Sequence, residues 1–361
     1  MVWKVDWRVL ADGRDMTAAM RPFLISVSIS DKDGTAGDTC QLQFDAAGGQ
    51  ITLPQNGGKV QVYLEGVNKF DGVVDSVRFA LSRGGGRTLN VGAKGFDANG
   101  PVKQPQSFHM DDGSLQQFLD KAAKTAGLSG IQIDPSFAAI TRNYWSAEAE
   151  SFLHLGQKLA RDLGGTFKIR GERAVLAKRG TGIAPSGVAL PPVIGIVGQN
   201  VIGLDIEPIS TRDRFKTAAV RYFDRAEAVF KTIRMETDDE RARVDRESLT
   251  IAADENQARM IAEGRKADSK REGGGGSVTL DLDVTAQPEA PFILQGAYPR
   301  VDGTYRIASV TNKADRSGGS TTSLELKEPG DGTGKDGRTV KAPAGADEGD
   351  DYVLPKHATL G

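Results

Sequence analysis

Thr39-Cys40-Gln41-Leu42-Gln43-Phe44 alternates polar and apolar side chains at every step. A strand with one face on a core and the other in water has this two-residue period. The pattern recurs upstream, where Trp3, Val5, Trp7 and Val9 alternate with Lys4, Asp6 and Arg8, and Ile25, Val27 and Ile29 with Ser26, Ser28 and Ser30. Downstream it returns as Val60, Val62 and Leu64, then Val77, Phe79 and Leu81, then Leu89, Val91 and Ala93. Residues 1–97 therefore predict several short antiparallel strands, closed as a barrel or stacked as a sandwich. The chain has 44 glycines, and clusters such as Gly84 to Gly86, Gly273 to Gly276 and Gly318-Gly319 fall between these runs. Glycine supplies the positive φ of tight turns, so the clusters read as hairpins.

Residues 98–180 change character. Ser114 and Gln117 form a capping box in front of an apolar stripe, Leu115, Phe118, Leu119, Ala122 and Ala126, which Gly127 stops. A second helix is expected after Ser146, with acidic Glu148 and Glu150 in its first turn and basic Lys158 and Arg161 later. Phe152, Leu159 and Leu163 mark its buried face, and Gly164-Gly165 ends it. A hairpin follows, from Thr166 to Ile169 and from Ala174 to Ala177, turning at Gly171-Glu172. The whole reads as an α+β unit.

Residues 181–200 hold Pro191, Pro192, Gly195 and Gly198 among small apolar side chains, a linker or extended crossing segment. Strand patterns resume from Val201 to Leu326, interrupted by a charged helix over about Asp254 to Arg271 with a narrow stripe of Ala258, Ile261 and Ala262. Residues 330–361 are rich in Gly, Asp and Lys, too polar to fold alone. They carry one apolar group, Tyr352, Val353 and Leu354, which reads either as a hook that docks onto a partner or as part of a frayed terminus.

Two distant stretches echo each other. Asp71-Gly72, Ser76-Val77, Arg83-Gly84-Gly85 and Thr88-Leu89-Asn90-Val91 are matched in order by Asp302-Gly303, Ser309-Val310, Arg316-Ser317-Gly318-Gly319 and Thr322-Ser323-Leu324-Glu325-Leu326, and the step from Val to Arg is six residues in both. Each reads as strand, glycine turn and returning strand. Either two hairpins coincide, or the halves are copies of one barrel with the α+β unit inserted between them.

Composition narrows the function. The 46 basic and 48 acidic residues leave a net charge of -2, which gives no global attraction for nucleic acid or anionic lipid. The single cysteine, Cys40, sits at an apolar strand position and reads as core packing. Met1-Val2-Trp3-Lys4-Val5-Asp6 does not resemble a signal peptide. No apolar run approaches the ~20 residues of a membrane span.

Catalytic signals are thin. His109, His154 and His357 are scattered and form no helix-borne pair for zinc. Nucleophile-elbow and phosphate-loop motifs are missing. A glycosidase needs only two carboxylates, and Asp111-Asp112, Asp238-Asp239-Glu240 and Asp350-Asp351 are candidates by adjacency, though such runs are usually solvated. Asp281 and Asp283 occupy polar positions beside Leu280, Leu282 and Val284, an outward face that could line a channel in a ring-shaped assembly.

Ile133-Asp134-Pro135, Arg142-Asn143-Tyr144-Trp145-Ser146-Ala147-Glu148-Ala149-Glu150-Ser151-Phe152-Leu153 and Leu159-Ala160-Arg161-Asp162-Leu163-Gly164-Gly165 resemble the late control protein D family of tailed phages. So do the first barrel's Asp71-Gly72-Val73-Val74 and the closing Asp302-Gly303-Thr304-Tyr305-Arg306-Ile307. The likeness spans about residues 1–329. It implies the baseplate hub of a contractile tail, similar to the hub part of the type VI secretion spike. The implied fold is mainly β with an α+β insertion: a first β-barrel (1–97), the insertion (98–180), a linker (181–200), a second barrel with one helix (201–329) and an extended arm (330–361). Two tube-protein-like antiparallel barrels per chain would make a trimeric, pseudo-sixfold ring. That ring would adapt a sixfold tail tube to a trimeric spike, with baseplate wedge proteins and a tape-measure protein as further partners. No enzyme activity, cofactor, metal, small-molecule substrate or membrane insertion is implied. The expected location is the virion tail, after assembly in the host cytoplasm. The alternatives are a tail-associated cell-wall hydrolase and the hub of a secretion-system spike.

Overall fold

A computed structural model describes residues 3–184, 186–208, 215–237, 242, 244–248, 251–271 and 274–329. The first part of the chain runs β1 (Trp7–Ala11), β2 (Arg14–Asp15), α1 (Thr17–Met20), β3 (Leu24–Lys32), β4 (Thr39–Asp45), β5 (Lys59–Leu64), β6 (Val67–Ser82) and β7 (Gly86–Lys94). The middle runs β8 (Pro105–Ser114), α2 (Leu115–Thr125), β9 (Gly130–Ile133), α3 (Pro135–Ala138), β10 (Thr141–Ser151), α4 (Phe152–Leu163), β11 (Gly165–Arg170) and β12 (Arg173–Lys178). The last part runs β13 (Val193–Ile196), β14 (Val201–Glu207), β15 (Thr217–Asp224), β16 (Val229–Glu236), β17 (Asp245–Glu247), α5 (Glu255–Arg271), β18 (Gly275–Asp281), β19 (Pro291–Gln295), β20 (Gly303–Asp315) and β21 (Gly319–Lys327). The fold is mainly β with few helices.

One 13-stranded sheet dominates, and its order exposes a repetition. In the first half the neighbours run β3-β4-β7-β6-β5-β1, and in the second β14-β18-β21-β20-β19-β13. Numbered by position along the chain within each half, leaving out the two-residue β2 and the separate β15–β17 sheet, the two orders are the same. The irregularities repeat as well. β3 slips against β4 between Leu24 and Ser26, and β14 slips against β18 between Val201 and Gly203. β6 slips against β7 between Val74 and Ser76, and β20 slips against β21 between Ile307 and Ser309. Bulges re-aim a strand at a fixed place, so matching bulges mark matching positions. One strand departs from the repeat: β1 pairs antiparallel with β5, whereas β13 pairs parallel with β19. The halves are joined by antiparallel pairing of β20 with β3, from Ser309↔Lys32 to Asp315↔Ser26. Among the described residues the ladder is an open path and neither half closes on itself.

Four apolar clusters sit beneath these elements. Trp7, Val9, Leu24, Cys40 and Phe70 centre the first half, and Phe292, Tyr305, Ile307 and Leu326 the second. Leu115, Phe118, Phe152 and Phe167 lie inside the middle unit, and Val220, Ala258 and Ile261 between β15 and α5. Each large side chain withdrawn from water contributes about 1.5–3 kcal/mol.

Local sequence explains most elements and corrects some expectations. Ser114 caps α2 through its side chain, and Gln117 answers at the Ser114 amide, as the capping box requires. The second helix starts later than its acid-to-base pattern suggests. Thr141–Ser151 is a strand paired with β8, and Trp145 and Ala147 are its buried residues. Glu148 and Glu150 flank a bulge at Ala149, whose φ is +54°. Ser151 is the true cap, accepting from the His154 amide at 3.2 Å. His109 lies within β8 and pairs with Ser146. In β3 the bulge turns Ile25 off the core, and Leu24 is buried in its place. Val193 of the crossing segment is buried in the second core. The arm 330–361, with Tyr352, Val353 and Leu354, lies outside the described residues.

Candidate channel face and sheet edges

The main sheet has one face on the cores and one polar face. Directly paired residues share a face, so the polar face can be traced in rows across the strands. One row runs Gly203, Thr279, Ser323, Thr311, Ser30, Thr39 and Lys94. A second runs Asp281, Thr321, Lys313, Ser28, Gln41, Gly92 and Ser76. A third runs Asp205, Ser277, Glu325, Ser309 and Lys32. Short hydroxyl side chains dominate. Thr279 and Ser323 approach to 3.3 Å, and Ser30 and Thr311 to 3.1 Å across the join between the halves. Lys32 donates to Glu325 at 3.1 Å across the same join.

Chemically this face offers hydroxyls and amides with a few balanced charges. Such a surface stays wetted and holds no excess of one sign. Among the described residues no group of three or more His, Cys, Asp or Glu side chains is placed to hold a metal ion.

Asp281 ends β18 on this face and is exposed. Its amide donates to the Asn200 carbonyl at 3.0 Å, and in the first half the Asp45 amide donates to the Phe23 carbonyl at 2.8 Å. The two aspartates hold equivalent positions. Asp283 lies past the strand end, where its carboxylate accepts from the Thr285 amide at 2.8 Å and so closes a turn. The sequence pattern grouped both on one strand face; only Asp281 is there. Asp111 and Asp112 sit on β8, exposed, and Asp238, Asp239 and Glu240 lie outside the described residues. The polar partners of Asp281 were missed because alternating Ser and Thr look like any watered strand face.

The join is also stapled by charge. Asp33, just after β3, accepts from the Thr166 hydroxyl at 2.6 Å and pairs with Arg306 of β20 at 3.0 Å and Arg179 at 3.4 Å. Arg306 also meets Glu289 at 2.9 Å. Burial pushes the Asp33 carboxyl upward, but Arg179, the Thr166 hydroxyl and Arg306 outweigh it and hold it below the ordinary carboxylate range. Asp38 meets Lys168 at 2.9 Å and Arg170 at 3.0 Å, and burial leaves its carboxyl raised despite Arg170. The first half, the second half and the middle unit therefore meet at Asp33, and the first half and the middle unit meet again at Asp38. Further along β20, Thr322 of β21 donates to Asn312 at 2.8 Å, and both are buried.

Two sheet edges carry exposed apolar residues. On β14, Ile202 is 59% and Leu204 38% exposed; on the outer part of β6, Phe79 is 57% and Leu81 67% exposed. The sequence alternation placed Phe79 and Leu81 in a core, but beyond Val77, which still packs on the first core, strand β6 runs past it.

No family model matches the chain. Over 193 residues it is 26% identical to the "Probable baseplate hub protein" of Escherichia phage P2, covering 52% of this chain and 49% of that one. Over 185 residues it is 24% identical to the protein of the same description from Escherichia phage 186, covering 50% and 46%. The chain thus spans about half the length of the curated relatives it matches. In fold it is similar to a tail protein of prophage MuSo2 from Shewanella oneidensis, at a TM-score of 0.66 and 14% identity over 90% of this chain and 98% of that one. A tail protein of Neisseria meningitidis gives a TM-score of 0.66 and 16% identity over 92% and 98%. An E. coli component of the type VI secretion system, described as structurally similar to T4 tail proteins, gives 0.56 and 12% over 87% and 75%. The chain is similar in sequence to the baseplate hub proteins of two phages and in fold to phage tail proteins.

Proposed function

We propose that this protein is the structural hub of a contractile phage-like tail baseplate, working as a homotrimeric ring and catalysing no reaction. The observation that carries the reading is the repeated strand order. A chain holding two equivalent halves presents six similar positions when three copies close, so a threefold part can seat on a sixfold tube. The hub relatives and the tail-protein fold support the same role.

In this ring each half contributes one barrel-like wall, and the polar face lines a central channel. Asp281 stands on the channel side, with Asp283 at its rim. A tail tube protein meets one end of the ring and a trimeric spike the other. Wedge proteins and a tape-measure protein are further neighbours in the virion tail, which is assembled in host cytoplasm. The apolar Tyr352, Val353 and Leu354 act as a docking hook for one of these partners.

A second reading is the hub of a secretion spike, favoured by the fold similarity to the type VI component. It keeps the ring and changes only the attached spike. Both predict a trimer in solution. Sedimentation equilibrium on the full chain tests this: a mass of three chains supports the hub, and a monomer at every concentration contradicts it.

A further inference from the structure

The repeat within the chain supplies a template for contact between chains. Inside one molecule, β3 lies against the Ser309–Asp315 part of β20. The equivalent of β3 is β14, and the equivalent of that part of β20 is Ser76–Ser82 of β6, as the matched bulges establish. Among the described residues, β14 from Gly203 to Glu207 has a ladder partner on one side only, and so has β6 from Ser76 to Ser82. Each half thus repeats one side of a join made once within the chain.

We infer that β14 of one copy pairs antiparallel with the outer part of β6 of the next copy, in the register that β3 and β20 use. The inference rests on the ring reading above and specifies its contact. Ala314↔Val27 becomes Leu81 opposite Leu204, and Asn312↔Ile29 becomes Phe79 opposite Ile206. Thr311↔Ser30 becomes Arg78 opposite Glu207, an opposite-charge pair on the polar face. Phe79 and Leu81 of one edge therefore meet Leu204 and Ile206 of the other. Arg316, after β20, donates its amide to the Ile25 carbonyl at 2.9 Å and its guanidinium to the Pro22 carbonyl at 2.9 Å. Its counterpart Arg83 is exposed, and in this register it reaches the Ile202 and Gln199 carbonyls of the neighbour. A head-to-tail contact of this kind generates a ring when its rotation closes.

Cysteine pairing in the full chain tests the register. Cys40 is fully buried and leaves the readout clean. Leu81→Cys with Leu204→Cys should give chain-to-chain disulfides under mild oxidation. Leu81→Cys with Asp205→Cys, one step off and on the other face, should give a yield about ten times lower. Because Leu81 and Leu204 are exposed, both double variants should keep the parent's unfolding temperature. Leu81→Asp gives an independent check and should abolish assembly without lowering monomer stability. Equal or negligible crosslinking in both pairs, while sedimentation still reports a trimer, would overturn the pairing and leave the hub standing. A monomer at every concentration would overturn both.

Discussion

The guanidinium of Arg306 lies 3.0 Å from the carboxylate of Asp33, and their side chains are only 10% and 11% exposed. The two residues come from opposite ends of the chain, and Thr166 and Arg179 of the middle unit reach the same carboxylate. Removing one partner leaves a desolvated charge. Arg306→Met should therefore lower unfolding free energy by about 3–5 kcal/mol, read by denaturant titration. A loss no larger than that of a surface substitution would show that the halves are held by sheet pairing alone.

Asp33 also sets an acid limit. Its folded pKa is depressed, so its contribution is fully present above its unfolded value, near 3.9. The contribution is lost as pH falls through the folded value. Thermal stability should be flat near neutrality and drop in acid, and Asp33→Asn should flatten part of that drop. An unchanged acid slope in the variant would contradict this assignment.

Cys40 is fully buried, and burial alone pushes its thiol up to about 12. A thiol reagent should leave native protein unlabelled and label it fully in denaturant. Cys40→Ser should cost about 1–3 kcal/mol, because the hydroxyl enters an apolar site.

The capping box offers a local test. Ser114→Ala should destabilise the protein by about 1 kcal/mol, seen as a lower midpoint with an unchanged denaturant slope.

Deleting residues 350–361 should weaken co-sedimentation with the spike partner and leave thermal unfolding where it was. A lowered unfolding temperature would mean that Tyr352, Val353 and Leu354 pack on their own chain.

Much of this fold is legible in the sequence. Cys40, Leu42 and Phe44 alternate into the core as their pattern says, and the echo of Ser76-Val77 in Ser309-Val310 falls on equivalent bulged strands. What sequence hides is the equivalence of β3 and β14. Ile25-Ser26-Val27 and Ile202-Gly203-Leu204 share only an apolar, small, apolar pattern common to many strands, and the pairing registers reveal their match. Glu148 and Glu150 misled because an acidic strand end before a helix looks like the helix's own first turn. Asp283 misled because alternation continues through Leu282 and Val284 after pairing has stopped. The polar face was the least legible part, since serine and threonine on a strand are ordinary until their rows are seen to cross both halves.

The most direct test of the ring is an electron cryo-microscopy reconstruction of the purified full-length chain. The account predicts three copies around a channel, with six similar wall segments and the row from Thr279 to Thr39 facing the lumen. Copies joined through the polar face, with Phe79 and Leu81 left in solvent, would contradict it.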